Sequence, residues 1–378
     1  MKLGHLETRR VVINTLAPVF IGSGKEINKK EYVYYPNGRK IFIPELFKMY
    51  SFLEKRGLAA EYENFLLREK RIDLLGFLRQ NKISDDEIKS FTEYSIDAGN
   101  AVIDERSRKG ILLFIKDSHN APYIPGSSLK GALRTAILSY KLKKSPVRES
   151  MARVMLSASR SNDMSKNRFL QDETRRIEAS VFNKLNLKKE KQEDTVNDFM
   201  KALSISDSRP VSLDSMVLCT KIDFSVSGNE KTIPLYRECI KPGTELIFSI
   251  TIDTSVAKEV SFSWNDLTEA LKSFNDTYEN DFADYFKQPP LSEITPCKNG
   301  QPIYMGGGVG FVSKTVVYPL LGKRQGLEYT SKLLEAKFPK EHNHEKDIEI
   351  GVSPHMNKFT QYDGKIYPMG RCEFVLKD

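Results

Sequence analysis

"ETRRVVINTLAPVFIGSG" begins in β-branched residues: Val11, Ile13 and Thr15 alternate with Val12, Asn14 and Leu16, and Pro18 marks the end of the run. A period of two predicts a strand, because successive side chains of a pleated ribbon face opposite sides. The run leads to a predicted turn at Gly22, Ser23 and Gly24. "KKEYVYYPNGRKIFIPELF" predicts a hairpin, with strands 32–35 and 40–43 around a Pro-Asn-Gly turn. A helix-rich insert from about Pro44 to Tyr94 follows, with Gly57 and Ser84 as punctuation.

"GILLFIKDSHNAPYIPGSSLKGALRTAILSYKLKK" predicts a strand, a loop, a glycine-serine turn and a helix. Leu129, Leu133, Ala136, Ile137 and Tyr140 share an inward helical face, and Ser127 or Ser128 is placed to cap the helix. Lys130, Arg134 and Lys141 fall on a neighbouring face. From Lys143 to about Phe199 the chain is polar, charged and poor in glycine, which predicts helices with a loop near "SASRSNDMSKN".

A second β-rich half starts near Ser204, with strands in "PVSLDSMVLCTKIDFSV" and "TELIFSITID" and a turn at Pro242 and Gly243. In "SWNDLTEALKSFNDTYENDFADYFK", Ser263 caps a helix whose Trp264, Leu267, Leu271, Phe274, Tyr278, Phe282 and Tyr285 recur at threes and fours. That stripe reads as core, since the opposite face is acidic and would repel a polyanion. "IYMGGGVGFVSKTVVYPL" reads as a glycine hinge between two short strands, and "IYPMGRCEFVLKD" as a final strand. The order suits an α+β chain of two ferredoxin-like (RNA-recognition-type) βαββαβ domains with helical insertions, residues 1–203 and 204–378.

Charge sharpens this picture. The formal net charge is +8, and residues 130–189 alone carry 15 Lys or Arg against 5 Asp or Glu. A basic stretch on an otherwise balanced chain points to a polyanion. The longest apolar run, Ile111 to Ile115, is too short to span a membrane, and "MKLGHLETRR" has no apolar signal core. Cys219, Cys239, Cys297 and Cys372 are far apart and lack metal spacing, so they read as buried thiols of a cytoplasmic protein.

Three glycine-rich stretches stand out: "IGSG" (21–24), "PGSSLKG" (125–131) and "GGGVG" (306–310). None has the Walker spacing or the dinucleotide fingerprint. Helix-terminal amides carry partial positive charge, and glycine admits close backbone approach. With Lys130 and Arg134 beside it, the second stretch is suited to anions.

These residues carry a resemblance. "YIPGSSLKGALRTAI" resembles the signature of the RAMP proteins of CRISPR systems, "TLAPVFIGSG" their first strand and turn, and "MGGGVGFVSKTVVYPL" their C-terminal glycine-rich loop. "LSISDSRPV", "YRECIKPGTEL" and "YPMGRCEFVLK" are similar to segments of one subgroup, the RAMP subunit at the crRNA 3′ end of type III-A Csm effector complexes. The resemblance implies ferredoxin-like domains whose glycine-rich loops lie on the backbone of single-stranded crRNA. Here those are Gly22, Ser23, Gly24, Gly126, Ser127, Ser128, Lys130, Arg134, Lys141, Gly306, Gly307, Gly308, Gly310 and Lys314. Amides and cations read phosphates and not bases, so such binding tolerates any sequence. The implied partners are a neighbouring RAMP backbone subunit, the small helical subunit and a host trimming nuclease, with no membrane and no cofactor.

Some RAMP proteins cleave pre-crRNA without metal, which leaves a metal-independent endoribonuclease as the alternative. His119, in "KDSHNAPYIPG", is the one histidine beside the basic turn, but with Asp117 it reads as a solvated loop residue. "EHNHE" (341–345) brings His342 and His344 together in a charged stretch and reads as loop. Asp207 and Asp214 read as hydrogen-bonding or turn residues. The expectation is a non-enzymatic subunit with no catalytic residues and no metal.

Overall fold

The computed structural model describes residues 2–35, 38–68, 72–101, 110–158, 171–188, 191–287, 295–339 and 342–377. In chain order the N-terminal half contributes β1 (Lys2–Leu3), β2 (Leu6–Thr15), β3 (Gly22–Ile27), β4 (Val33–Tyr35) and β5 (Lys40–Pro44). Helices α1 (Leu46–Lys55), α2 (Ala59–Arg68), α3 (Leu74–Gln80) and α4 (Asp85–Ser90) precede β6 (Thr92–Asp97) and β7 (Ile111–Phe114). Then come α5 (Gly126–Lys144), α6 (Arg148–Ala158), α7 (Gln171–Phe182) and β8 (Leu203–Ile205). The C-terminal half adds β9 (Met216–Ser225), β10 (Glu230–Ile240), β11 (Glu245–Asp253), α8 (Thr254–Glu259), α9 (Trp264–Asp281) and β12 (Gln301–Tyr304). The chain closes with α10 (Val317–Lys337), α11 (Asp347–Ile350), β13 (Met356–Tyr362), β14 (Lys365–Pro368) and β15 (Arg371–Lys377).

The fold is α+β, as expected. One sheet runs β12-β15-β2-β11-β8, and a second runs β3-β7-β10-β9-β6-β5-β4 with β13 and β14 joined to β9. Both draw strands from either side of residue 203: β2 lies between β15 and β11, and the β9–β10 pair lies between β7 and β6. The division expected at residue 203 therefore does not coincide with a division between sheets. Strand β2 holds its central place through Val11 and Ile13, which are fully buried between the neighbouring strands and the helices.

Helix α5 buries Leu129, Leu133, Ala136 and Ile137, the face its spacing predicts, and packs on α9. Ser263 caps α9 with a reciprocal box to Asp266, and Trp264, Leu267, Leu271 and Tyr278 are buried. The insert of α1–α4 has its own core, built on Met49, Leu53, Phe65, Phe77, Leu78 and Phe91. A buried carboxylate ties the second sheet together. Glu238 on β10 accepts from the Phe114 amide and the Tyr94 hydroxyl, each at 2.8 Å, and from the Lys116 ammonium. Pairing is what makes a fully buried carboxylate tolerable.

Three expectations need correction, and one strand was not expected. Gly22 to Gly24 form no turn but open β3, with a register irregularity between Gly22 and Glu26. The "TVVYPL" segment is not a strand; it starts α10, where Pro319 sits in the first turn and has no intrahelical partner to lose. "NEKTIPLYRECI", unassigned from sequence, forms β10, its pattern blurred by Pro234 and a bulge between Ile233 and Tyr236. "IYPMGRCEFVLKD" holds two strands, β14 and β15, separated at Gly370 with φ of 73°. The "SASRSNDMSKN" loop lies largely outside the described residues.

Candidate nucleic-acid interface

The three glycine-rich stretches, far apart in sequence, meet at one cleft. Ile21, Gly22, Ser127, Ser128, Gly131, Ala132, Thr135, Tyr304, Gly306, Gly307, Ser313 and Lys314 line a space of about 400 Å³. Phe20 is the hub. Its carbonyl accepts the Gly307 amide at 2.8 Å, and its ring lies against Gly22 and Gly307. A Cβ on Gly306 would stand 2.2 Å from the Phe20 carbonyl oxygen, and Gly306 has φ of 87°. Glycine is needed here both for the left-handed backbone and for the close approach.

The start of α5 forms another wall. No side chain of its own caps this helix: Pro125 occupies the N-cap, and Ser127 and Ser128 lie within the first turn. This corrects the expected serine cap. The capping carboxylate comes from Asp207, which accepts the Gly126 amide at 2.8 Å. Asp207 thus has the hydrogen-bonding role read from the sequence. Gly126 itself is buried against the carbonyl oxygens of Ile205 and Ser206, which a Cβ would approach to 2.3 and 2.6 Å. Its backbone meets the protein and not the cleft, whereas Ser127 is exposed at the lip.

The cations divide into two groups. Lys130 donates to the Leu203 carbonyl at 2.7 Å. Arg134 pairs with Asp198 at 2.7 Å and Glu178 at 3.0 Å, with its guanidinium 3.8 Å above the centre of the Phe182 ring. Lys141 lies over Phe199, Lys143 binds the α9 backbone at Ser273, and Arg148 binds the Leu320 carbonyl. Part of the basic surplus therefore fastens α5 and α6 to their neighbours, and Lys130, Arg134 and Lys141 are not brought to the cleft wall. Lys314 differs. It is exposed, among the described residues no ion pair or side-chain hydrogen bond holds its ammonium, and desolvation holds its pKa below the ordinary lysine value. With Thr135 it also borders a second cavity of about 550 Å³, walled by Leu138, Ile177, Phe311 and Val316.

The remaining expected residues flank the cleft. Ser23 and Gly24 are exposed along β3, with Ser23 Oγ donating to the Leu113 carbonyl at 3.1 Å. Gly308 lies over the Arg237 guanidinium, and Gly310 over Asn357. Sequence reading missed the cations beneath this loop: Arg237 stacks on Phe20, and Lys221 and Lys358 flank Asp223 at 3.7 and 2.7 Å. Arg237 lies in the "YRECIKPGTEL" segment and Lys221 in an assigned strand, but nothing local says that the fold brings these cations beneath the loop.

His119 is not among the residues that line the cleft. Its ring Nδ1 is 3.4 Å from Ser118 Oγ, and Asp117 accepts the backbone amides of Ala121 and His119 instead of orienting the imidazole. Those amides hold the Asp117 carboxyl below its ordinary value. Cys219, Cys239 and Cys372 are buried free thiols, and Cys297 is half-buried and free.

Comparison with known proteins gives the family and the fold. Csm5 of Mycobacterium tuberculosis (strain CDC 1551 / Oshkosh) is 27% identical over 99% of this chain and 98% of its own length. Csm5 of Streptococcus thermophilus is 27% identical over 98% of each. The crystal structure of T. onnurineus Csm5 superposes with a TM-score of 0.63 at 22% identity, covering 96% of this chain and 99% of that one. A chain of a Csm-crRNA-target RNA ternary complex from a type III-A CRISPR-Cas system superposes with a TM-score of 0.62 at 23% identity, covering 98% of this chain and 100% of that one. The RAMP superfamily model matches residues 12–313, a span that takes in all three glycine-rich stretches, and the chain belongs to that superfamily.

Proposed function

We propose that the chain is the Csm5-type subunit of a type III-A CRISPR effector complex, a non-catalytic RNA-binding protein that caps the 3′ end of the crRNA. The observation that carries this reading is the convergence of Gly22, Ser127, Ser128, Gly306, Gly307 and Lys314 on one cleft. Glycine backbone open to close approach, serine hydroxyls and one cation suit phosphates and sugars and carry no base code, as a subunit accepting any spacer requires. Ser23, Gly24, Gly308 and Gly310 extend that surface. Lys130, Arg134 and Lys141 hold the helix that presents Ser127 and Ser128. The two sheets correspond to two interleaved ferredoxin-like units. A neighbouring RAMP backbone subunit and the small helical subunit cover the adjoining faces in the cytoplasm, and a separate nuclease trims the RNA. The names of the relatives and of the matching complex support this assembly.

The test is to delete the subunit from a reconstituted complex and map both crRNA ends. The expected result is an assembled filament with heterogeneous 3′ ends and uniform 5′ ends. Loss of the whole filament, or unchanged 3′ ends, overturns the capping role. Incubation of the purified chain with labelled pre-crRNA in EDTA addresses the endoribonuclease alternative. Site-specific cuts lost in His119→Ala would overturn the non-catalytic reading.

A further inference from the structure

Within the "EHNHE" stretch, His344 is not the solvated loop residue its charged surroundings suggest. His344 and Asp347 are buried, and His355, from the approach to β13, reaches the same point. The Asp347 carboxylate meets His344 Nδ1 at 2.9 Å, His355 Nδ1 at 2.5 Å and the Ser353 hydroxyl at 2.5 Å.

We propose that His344, Asp347 and His355 bind one divalent first-row transition-metal ion, with Zn²⁺ the probe that fits the donor set. Their donor atoms all lie within 4.8 Å of one another. A tetrahedral zinc ion with ligands at about 2.0–2.1 Å sets its donors about 3.3 Å apart, so the contacts of Asp347 with His344 and His355, at 2.9 and 2.5 Å, must open by about 0.4 and about 0.8 Å. Two imidazoles and one carboxylate favour such an ion over Mg²⁺ or Ca²⁺, which take oxygen donors. The cluster is held from outside. The His344 carbonyl accepts from Ser331 Oγ at 2.8 Å, the His344 amide donates to Glu335 at 2.7 Å, and Tyr318 donates to the Ser353 carbonyl at 2.7 Å. Ordered surroundings of this kind are what orient metal ligands.

The Asp347 carboxylate sits between the two imidazoles, and the cluster can take up a cation when each ring carries its proton on Nε2 and turns the Nδ1 lone pair inward. Three protein ligands leave a fourth position for water, for Ser353 Oγ or for His342, whose ring centre is 5.7 Å from that of His344. The ion would staple the α11 region to the approach to β13, a junction already tied to α10 through the bonds of Ser331 and Glu335 to the His344 backbone.

The test uses untagged full-length chain, stripped with EDTA and dialysed. Calorimetric titration with ZnCl₂ should give one ion per chain, and Co²⁺ should give the d–d absorption of a tetrahedral site. Zn²⁺ should raise the melting temperature, and Mg²⁺ should not. His355→Gln, which keeps a hydrogen-bond donor toward Asp347, should bind Zn²⁺ at least 100-fold more weakly. Equal affinity in His355→Gln, or no stoichiometric uptake by the wild-type chain, means the cluster is a hydrogen-bonded clasp and overturns the proposal. If His355→Gln does not fold, the wild-type Co²⁺ spectrum decides: absence of tetrahedral bands overturns the site.

Discussion

The Gly307 amide donates to the Phe20 carbonyl at 2.8 Å, and this bond joins the residue just before the first glycine-rich stretch to the third across 287 residues of sequence. The Phe20 ring fills the space that side chains at 22 and 307 would occupy. The glycines here serve packing first, and the cleft is what the packing leaves open.

Gly306→Ala should therefore cost stability. Its Cβ would meet the Phe20 carbonyl oxygen at 2.2 Å, and its φ of 87° penalises any L side chain. Together the strain amounts to about 2–4 kcal/mol. Gly131→Ala is the contrast. Gly131 lies in α5 and also lines the cleft, but nothing stands within 4 Å of the Cβ that an alanine would carry there. It should stabilise the chain by about 0.5–1 kcal/mol. Urea unfolding of the two variants checks the opposite signs.

Lys314→Ala and Lys130→Ala should separate binding from folding. Lys314 has no protein partner for its ammonium among the described residues, whereas Lys130 satisfies the Leu203 carbonyl. Lys314→Ala should leave the melting temperature unchanged and flatten the log–log salt dependence of single-stranded RNA affinity by about 0.7. Lys130→Ala should lower stability by about 1 kcal/mol and leave the salt slope unchanged. An unchanged slope in Lys314→Ala would remove that residue from the RNA surface.

Gly126→Ala tests what the second glycine is for. Its Cβ would meet two backbone oxygens, of Ile205 and Ser206, which cannot rotate away as a side chain would. The expected loss is about 2 kcal/mol or more, from strain between α5 and the β8 end. RNA affinity measured well below the melting temperature should change little. A stable variant with sharply weakened RNA binding would show that Gly126 meets the ligand after all.

Much of this architecture was legible in the sequence because local pattern and tertiary demand agree. The alternation in β2, the inward face of α5 and the Ser263 cap of α9 each state in one segment what the fold requires there. What failed was relational. "IGSG" looks like a turn, yet Gly22 makes room for the Phe20 ring, which also packs on Gly307, a demand the local sequence does not mention. Lys130 and Arg134 look like free cations until Leu203, Glu178 and Asp198 are folded against them. The His344–Asp347–His355 cluster needs an imidazole from eight residues beyond Asp347, past any metal spacing the motif suggested. Charge runs predict a polyanion surface only after internal fastenings are subtracted, and those fastenings exist only in the folded chain.

Glu373 makes a pH prediction. One of its oxygens accepts the successive amides of Lys298, Asn299 and Gly300 at 2.6, 2.7 and 3.0 Å, and the other accepts from Asn14 at 3.1 Å. Burial would raise its pKa, but these four bonds favour the anion and bring it below the ordinary glutamate value. A carboxylate with a depressed folded pKa stabilises the fold above its unfolded pKa of about 4.3, and that contribution disappears as pH falls through the lower folded value. Glu373→Gln keeps the shape but loses the charge, and should cost about 2 kcal/mol at neutral pH. Below about pH 4 the wild-type chain progressively loses its advantage, so the two urea midpoints should converge on further acidification. A gap that stays constant from neutral pH to about pH 3 would show that the Glu373 charge is not what the three amides hold.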